Sequence, residues 1–163
     1  MLPYRLLVVD VDGTLIGADL TPSPCVTAAI RRAVTQGLRI ALCTGRTPLS
    51  CPDLIAALDL DGPQIFLDGA LIADSSGSPE VFVSSLDHAA QAVLVGLCRG
   101  EGLDLELYTR DGYFVARRSD LIRLHEEVQG LTAEVADLGA IGVGGRVIKG
   151  EIVVAGDAGR AAA

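Results

Sequence analysis

The chain of 163 residues carries 21 acidic and 13 basic side chains, a formal charge of −8, and half of its residues are hydrophobic with few aromatics and no Trp. An acidic surface of that size repels nucleic acid and anionic membrane, so neither is expected as a partner. The apolar fraction excludes a disordered chain, and a chain this long buries roughly two-thirds of its unfolded surface without covalent staples.

The first element is Leu6 to Val9, a continuous apolar run, β-branched at its end, that reads as a buried parallel strand. Gly13 and the polar stretch Thr21 to Pro24 break it off. From Val26 the apolar residues recur at Ala29, Ile30, Ala33 and Val34, a helical stripe capped by Gly37. Leu38 to Cys43 is a second buried strand, Pro52 to Leu58 a short helix and Gln64 to Leu67 a third strand. Strand, helix, strand, helix, strand in that order predicts an α/β fold with a parallel sheet and right-handed crossovers.

After Asp68-Gly69 the texture changes. Ala70 to Ala73 and Val81 to Val83 flank the turn residues Asp74-Ser75-Ser76-Gly77 and read as a hairpin. Ala89 to Arg99 is helical between an Asp87 N-cap and a Gly100 terminator. Leu103 to Tyr108 and Tyr113 to Arg117 form a second hairpin, Ser119 to Val128 a helix and Val147 to Val154 a last strand. Hairpins mixed with helices mark an α+β module, which divides the chain into residues 1–75 and 76–163.

Four cysteines (25, 43, 51 and 98) show no CxxC spacing, which argues against zinc and for free thiols in a reducing cytoplasm. Only four apolar residues precede Asp10 after Arg5, too few for a signal-peptide core or a membrane span. A cytoplasmic protein is expected.

The chemistry concentrates at Asp10-Val11-Asp12-Gly13-Thr14-Leu15, directly after the first strand. Ligands of open parallel sheets bind beyond the carboxyl ends of the strands. Two carboxylates placed there repel each other unless a cation or proton offsets them. Mg²⁺ is the natural partner, because it takes oxygen ligands and usually binds one or two carboxylates plus substrate phosphate. Thr44-Gly45-Arg46 ends the second strand, where a Thr hydroxyl and a Gly amide can both donate to a phosphate oxygen.

The segment Asp10 to Leu15 resembles the signature of the haloacid-dehalogenase superfamily of phosphatases, and Thr44-Gly45 its second motif. The resemblance implies that Asp10 is the nucleophile forming an aspartyl-phosphate. Asp12 would protonate the leaving oxygen and then activate water. Thr44 would hold the transferring phosphate, and magnesium would sit on the Asp10 carboxylate and the Asp12 backbone carbonyl. Arg46 accompanies the second motif, as a substrate contact or a surface charge. Phe66 to Asp74 resembles the Cof-type subgroup, whose core carries a large α+β cap. That subgroup has Asn before Gly-Ala where this chain has Asp68-Gly69, which adds negative charge near the site and weakens any substrate contact carried over to these two residues.

Two further parts of the family pattern find no counterpart. Lys149 is the sole lysine, and Gly156-Asp157-Ala158-Gly159-Arg160 imitates only the start of an acidic loop, seven residues later. Both are expected to be ordinary cap residues, so the chain reads as a core that is incomplete on its C-terminal side. Gly142-Val143-Gly144-Gly145 reads as a loop, His88 and His125 as surface or half-buried helix residues, and Arg110, Arg117 and Arg118 as a solvated face or a contact to substrate. The expected function is hydrolysis of a small phosphorylated metabolite. Its rivals are a mutase-like phosphoryl transfer and a non-catalytic protein that binds phosphate or a partner.

Overall fold

A computed structural model describes residues 4–17, 19–77, 79–142 and 146–155. The chain forms two compact units that divide between Val83 and Ser84.

The first unit holds strands β1 (Leu6–Asp10), β2 (Arg39–Cys43), β3 (Gln64–Phe66), β4 (Leu71–Ala73) and β5 (Glu80–Val83), with helices α1 (Pro24–Thr35) and α2 (Pro52–Leu58). The five strands make one sheet in the order β1-β2-β3-β4-β5. β1, β2 and β3 run parallel as their α-helical connections require, while β4 and β5 return antiparallel. The compact units divide at Val83, whereas the sequence places the change of module near residue 75. The hairpin at Asp74 to Gly77 does form, but backbone pairing of β4 to β3 adds it to the parallel sheet.

The helices begin and end where local chemistry dictates. Ser23 caps α1 by accepting from the Val26 amide, and Gly37 follows its end with φ of +86°. α1 packs on α2 and β2, and Leu42, Leu58, Phe66 and Leu71 fill the core beneath. β2 and β3 share a short ladder, and the buried Gln64 side chain extends it. Its Oε1 accepts from the Leu42 amide at 2.8 Å and its Nε2 donates to the Gly62 carbonyl. One expectation fails here. β1 is not buried: Leu6, Leu7 and Val8 are 55, 42 and 44% exposed. The apolar run forms the strand as read, but β1 pairs only with β2 among the described residues and lies at the sheet edge.

The second unit holds α3 (His88–Glu101), β6 (Asp104–Thr109), β7 (Gly112–Val115), α4 (Asp120–Gln129), β8 (Glu134–Val135) and β9 (Lys149–Val153). Its sheet runs β8-β7-β6-β9. The short β8 was not legible from the sequence, since two residues carry no period. Asp87 caps α3 as expected, but Gly100 lies inside the helix, and Gly102 in the left-handed region ends it. Ser119 caps α4.

Strand alternation sorts β6 into two faces. Leu105 and Leu107 pack with Val95, Cys98, Leu138 and Val147 in an apolar core. Glu106 and Tyr108 lie on the other face, both fully buried. There Glu106 Oε2 accepts from the Tyr108 hydroxyl and meets His125 Nδ1 of α4 at 2.8 Å. Glu106 also faces Glu151 across the β6–β9 pairing, where Lys149 lies 2.7 Å from the Glu151 carboxylate. His125 thus proves half-buried and paired.

The hydrogen bond to Glu106 raises the His125 pKa above its ordinary 6.5, against the opposing effect of burial. A raised folded-state pKa contributes stability that is complete below the ordinary value and is lost as pH rises through the folded value. Unfolding midpoints are therefore expected to fall as pH climbs from below 6.5 through the raised folded value, and this fall should shrink in His125→Asn. Denaturant titrations across that range check it; an unchanged slope in the variant would assign the effect to other groups.

Candidate active site

The parallel register of β1 and β2 sets Asp10 beside Cys43, so the segments that follow both strands leave the same end of the sheet. The segment after β3 joins them. The Asp68 amide donates to the Thr44 carbonyl and the Leu67 amide to the Arg46 carbonyl, both at 3.1 Å. Asp10, Asp12, Thr44, Gly45, Arg46, Asp68 and Gly69 are thereby gathered at one carboxyl edge, although 59 positions separate the first from the last.

The first segment is wound around one carbonyl. Val11, fully buried, accepts from the amides of Thr14, Leu15 and Ile16 through its carbonyl oxygen. That turn requires Gly13 at φ of +75°, a conformation that costs any side chain strain. The winding carries Thr14 back over the strand end, where its hydroxyl donates to Asp10 Oδ2 at 2.9 Å. One oxygen of Asp10 is thus tied down, although Asp10, Asp12 and Thr14 themselves lie exposed.

Thr44 is 3% exposed, and its hydroxyl oxygen accepts from the Arg46 amide at 3.1 Å. That bond uses an acceptor lone pair and leaves the hydroxyl proton as a donor. The Arg46 side chain turns to Asp12: Nη2 lies 2.7 Å from Oδ1 and Nε 2.9 Å from Oδ2. This forked pair holds the guanidinium pKa above its ordinary value, with burial opposing it. Behind it lies Cys51, whose buried thiol is pushed up to about 11, which disqualifies it as a nucleophile near neutral pH. The four cysteines are all free thiols.

Backbone strain marks the same edge. Leu67 and Asp68 are consecutive residues with φ of 51° and 56°, ahead of Gly69 at 91°. Each such non-glycine residue costs on the order of 1–3 kcal/mol and persists only where surrounding contacts over-determine it. Here the buried Leu67 side chain and the two bonds to Thr44 and Arg46 supply that restraint.

The donor set fits magnesium. The Asp10 carboxylate and the Asp12 backbone carbonyl are both hard oxygens, and Mg²⁺ commonly completes its shell with water and substrate phosphate. No group of three His, Cys, Asp or Glu side chains that could hold a metal occurs among the described residues.

Lys149 is the sole lysine of the sequence. It belongs to the second unit, beside Glu151 and 5.4 Å from the centroid of the Tyr108 ring. Arg110, Arg117 and Arg118 engage Asp111, Asp104 and Glu126 respectively, each a different carboxylate. Asp157 with its flanking residues, and Val143 to Gly145, lie outside the described residues. Sequence reasoning missed the Arg46–Asp12 fork and the Glu106–His125 pair. Glu106 did leave a signal, a single charge inside the apolar strand Leu105 to Tyr108; the fork left none, since 34 positions separate its members.

These features describe a parallel-sheet α/β core with the candidate site at its carboxyl edge, and the comparisons identify its family. The chain belongs to the haloacid dehalogenase-like hydrolases, whose family model matches residues 7–136. It is similar to a 5-amino-6-(5-phospho-D-ribitylamino)uracil phosphatase of Bacillus subtilis, 28% identical over 124 residues, covering 76% of this chain and 42% of the relative. It is also similar to an HMP-PP phosphatase of Yersinia pestis, 27% identical over 125 residues, covering 75% and 45%. The chain thus spans less than half the length of these curated relatives. Among solved structures, a haloacid dehalogenase-like hydrolase from Bacteroides thetaiotaomicron shares the fold with a TM-score of 0.80 at 22% identity, over 98% of this chain and 60% of that one. No helix among the described residues is long and apolar enough to cross a membrane.

Proposed function

We propose that this chain carries the nucleophile-bearing part of a magnesium-dependent cytoplasmic phosphatase acting on a small phosphomonoester such as a sugar phosphate. The observation that carries this reading is the Asp10 carboxylate, held by Thr14 at the end of β1, in register with Cys43, the residue before Thr44, whose hydroxyl keeps its proton free to donate.

Asp10 attacks phosphorus through a carboxylate oxygen, forming an acyl-phosphate as the ester P–O bond breaks. Asp12, protonated on one oxygen while Arg46 keeps the other, delivers the proton that the leaving alkoxide needs. Water then attacks the phosphorus of the aspartyl-phosphate, Asp12 takes its proton, and the bond to Asp10 breaks to release inorganic phosphate. Thr44 and the Gly45 amide would donate to the transferring phosphoryl oxygens; these oxygens carry the developing charge, where preorganised donors act most strongly. Magnesium, held by the Asp10 carboxylate and the Asp12 carbonyl, supplies neutralisation of phosphoryl charge. The second unit corresponds in this reading to the family's α+β cap, while Asp68 and Gly69 belong to the core.

Asp12 provides the test. Asp12→Asn should slow turnover of alkyl phosphates strongly and of p-nitrophenyl phosphate least, because nitrophenolate leaves without a proton. Equal losses for the two leaving groups would reduce Asp12 to a structural role. The pairing of the sole lysine, Lys149, with Glu151 favours one other reading, a phosphate-binding chain without turnover.

A further inference from the structure

The sequence leaves Arg46 as either a substrate contact or a surface charge, and the geometry fits neither. Its side chain is 11% exposed, which excludes a solvated surface residue, and its fork already embraces a carboxylate of this chain. We propose that Arg46 is a positioning residue, a fixed guanidinium fork that sets the orientation of the Asp12 carboxylate and reaches the reaction only through it.

The asymmetry of the pair supports this assignment. Arg46 is held on three sides: its amide donates to Thr44 Oγ1, its carbonyl accepts from the Leu67 amide, and its side chain lies against the buried Cys51 side of the loop. The Asp12 side chain is 51% exposed on a segment that turns at Gly13. The arginine is therefore the fixed partner and the aspartate the one being held. A forked pair fixes a plane as well as a distance, which a lysine ammonium cannot do. The left-handed pair Leu67 and Asp68 gains a purpose on this view, because it turns the chain so that the Leu67 amide reaches the Arg46 carbonyl.

The inference rests on Asp12 being the proton shuttle, and two measurements separate its failure from failure of that reading. On the 163-residue chain, the Arg46 Nε–Hε resonance should be distinct and slow to exchange with solvent. It should collapse onto the exposed arginines in Asp12→Asn and stay in place in Asp10→Asn. A resonance unaffected by Asp12→Asn would overturn the pairing whether or not the protein is a phosphatase. In a chain with measurable turnover, Arg46→Lys should lower kcat for an alkyl phosphate by about 10–10²-fold, the usual cost of misplacing a reacting group. KM should move by less than about twofold, and adding Arg46→Lys to Asp12→Asn should bring no further loss. A raised KM with kcat preserved, or losses that multiply in the double variant, would make Arg46 a substrate contact and overturn the proposal. Asp12→Asn with wild-type turnover would instead remove the reading on which it rests. Arg46→Gln, with its melting temperature recorded, guards against a mere folding defect in the lysine variant.

Discussion

Replacing Asp10 by Asn is expected to lower magnesium-dependent turnover of an aryl phosphate by about 10³-fold or more while leaving the fold intact, since removal of a nucleophile is among the costliest single losses an active site can take. An amide is isosteric with the carboxylate but has neither the charge to attack phosphorus nor a strong magnesium ligand. The fold should tolerate the change for reasons visible in the structure. Asp10 is exposed at the end of an edge strand, and its recorded side-chain bond comes from Thr14, which an amide oxygen accepts equally well. Far-UV circular dichroism and unfolding midpoints should therefore match the parent protein. The assay belongs in a chain with measurable turnover, and an unaltered rate there would remove Asp10 from the chemistry.

The second expectation concerns residues 1–163 taken alone: turnover at least about 10²–10³-fold below that of a longer chain that supplies a lysine to the phosphate. Phosphoryl transfer depends on positioning and charge neutralisation, and loss of one preorganised contact already costs that much. In the described part of the first unit, the cation brought to the carboxylates is Arg46, and Asp12 already occupies it. The only lysine of the sequence lies in the second unit against Glu151 and Tyr108. Within the first unit, phosphate approaching Asp10 meets a carboxylate, a neutral Thr44 donor and, on the proposed reading, a magnesium ion held by two protein oxygens. A magnesium titration should show weak binding for the same reason. The exposed Leu6, Leu7 and Val8 of β1 add a physical consequence, since an unpaired apolar edge invites association. Robust turnover by monomeric 1–163 would show that Lys149 or Asp157 reaches the phosphate after all.

Much of this protein is determined by short-range sequence signals. The β-branched run before Asp10, the stripe from Val26 to Val34 and the Pro52 to Leu58 segment dictate strand and helix because periodicity and capping act within a few residues. The clustering of Asp10, Asp12, Thr44 and Asp68 was also legible, because parallel strands necessarily present their carboxyl ends together. What tertiary structure alone decided is the pairing between those segments. That β1 lies exposed depends on which strands flank it, and that β4 and β5 extend the first sheet depends on backbone bonds to β3, neither of which is written in local composition. Arg46 meets Asp12, and Glu106 meets His125, across 34 and 19 positions of chain. Such contacts are fixed by register and packing, so identical residues at identical spacings could have faced solvent in another fold.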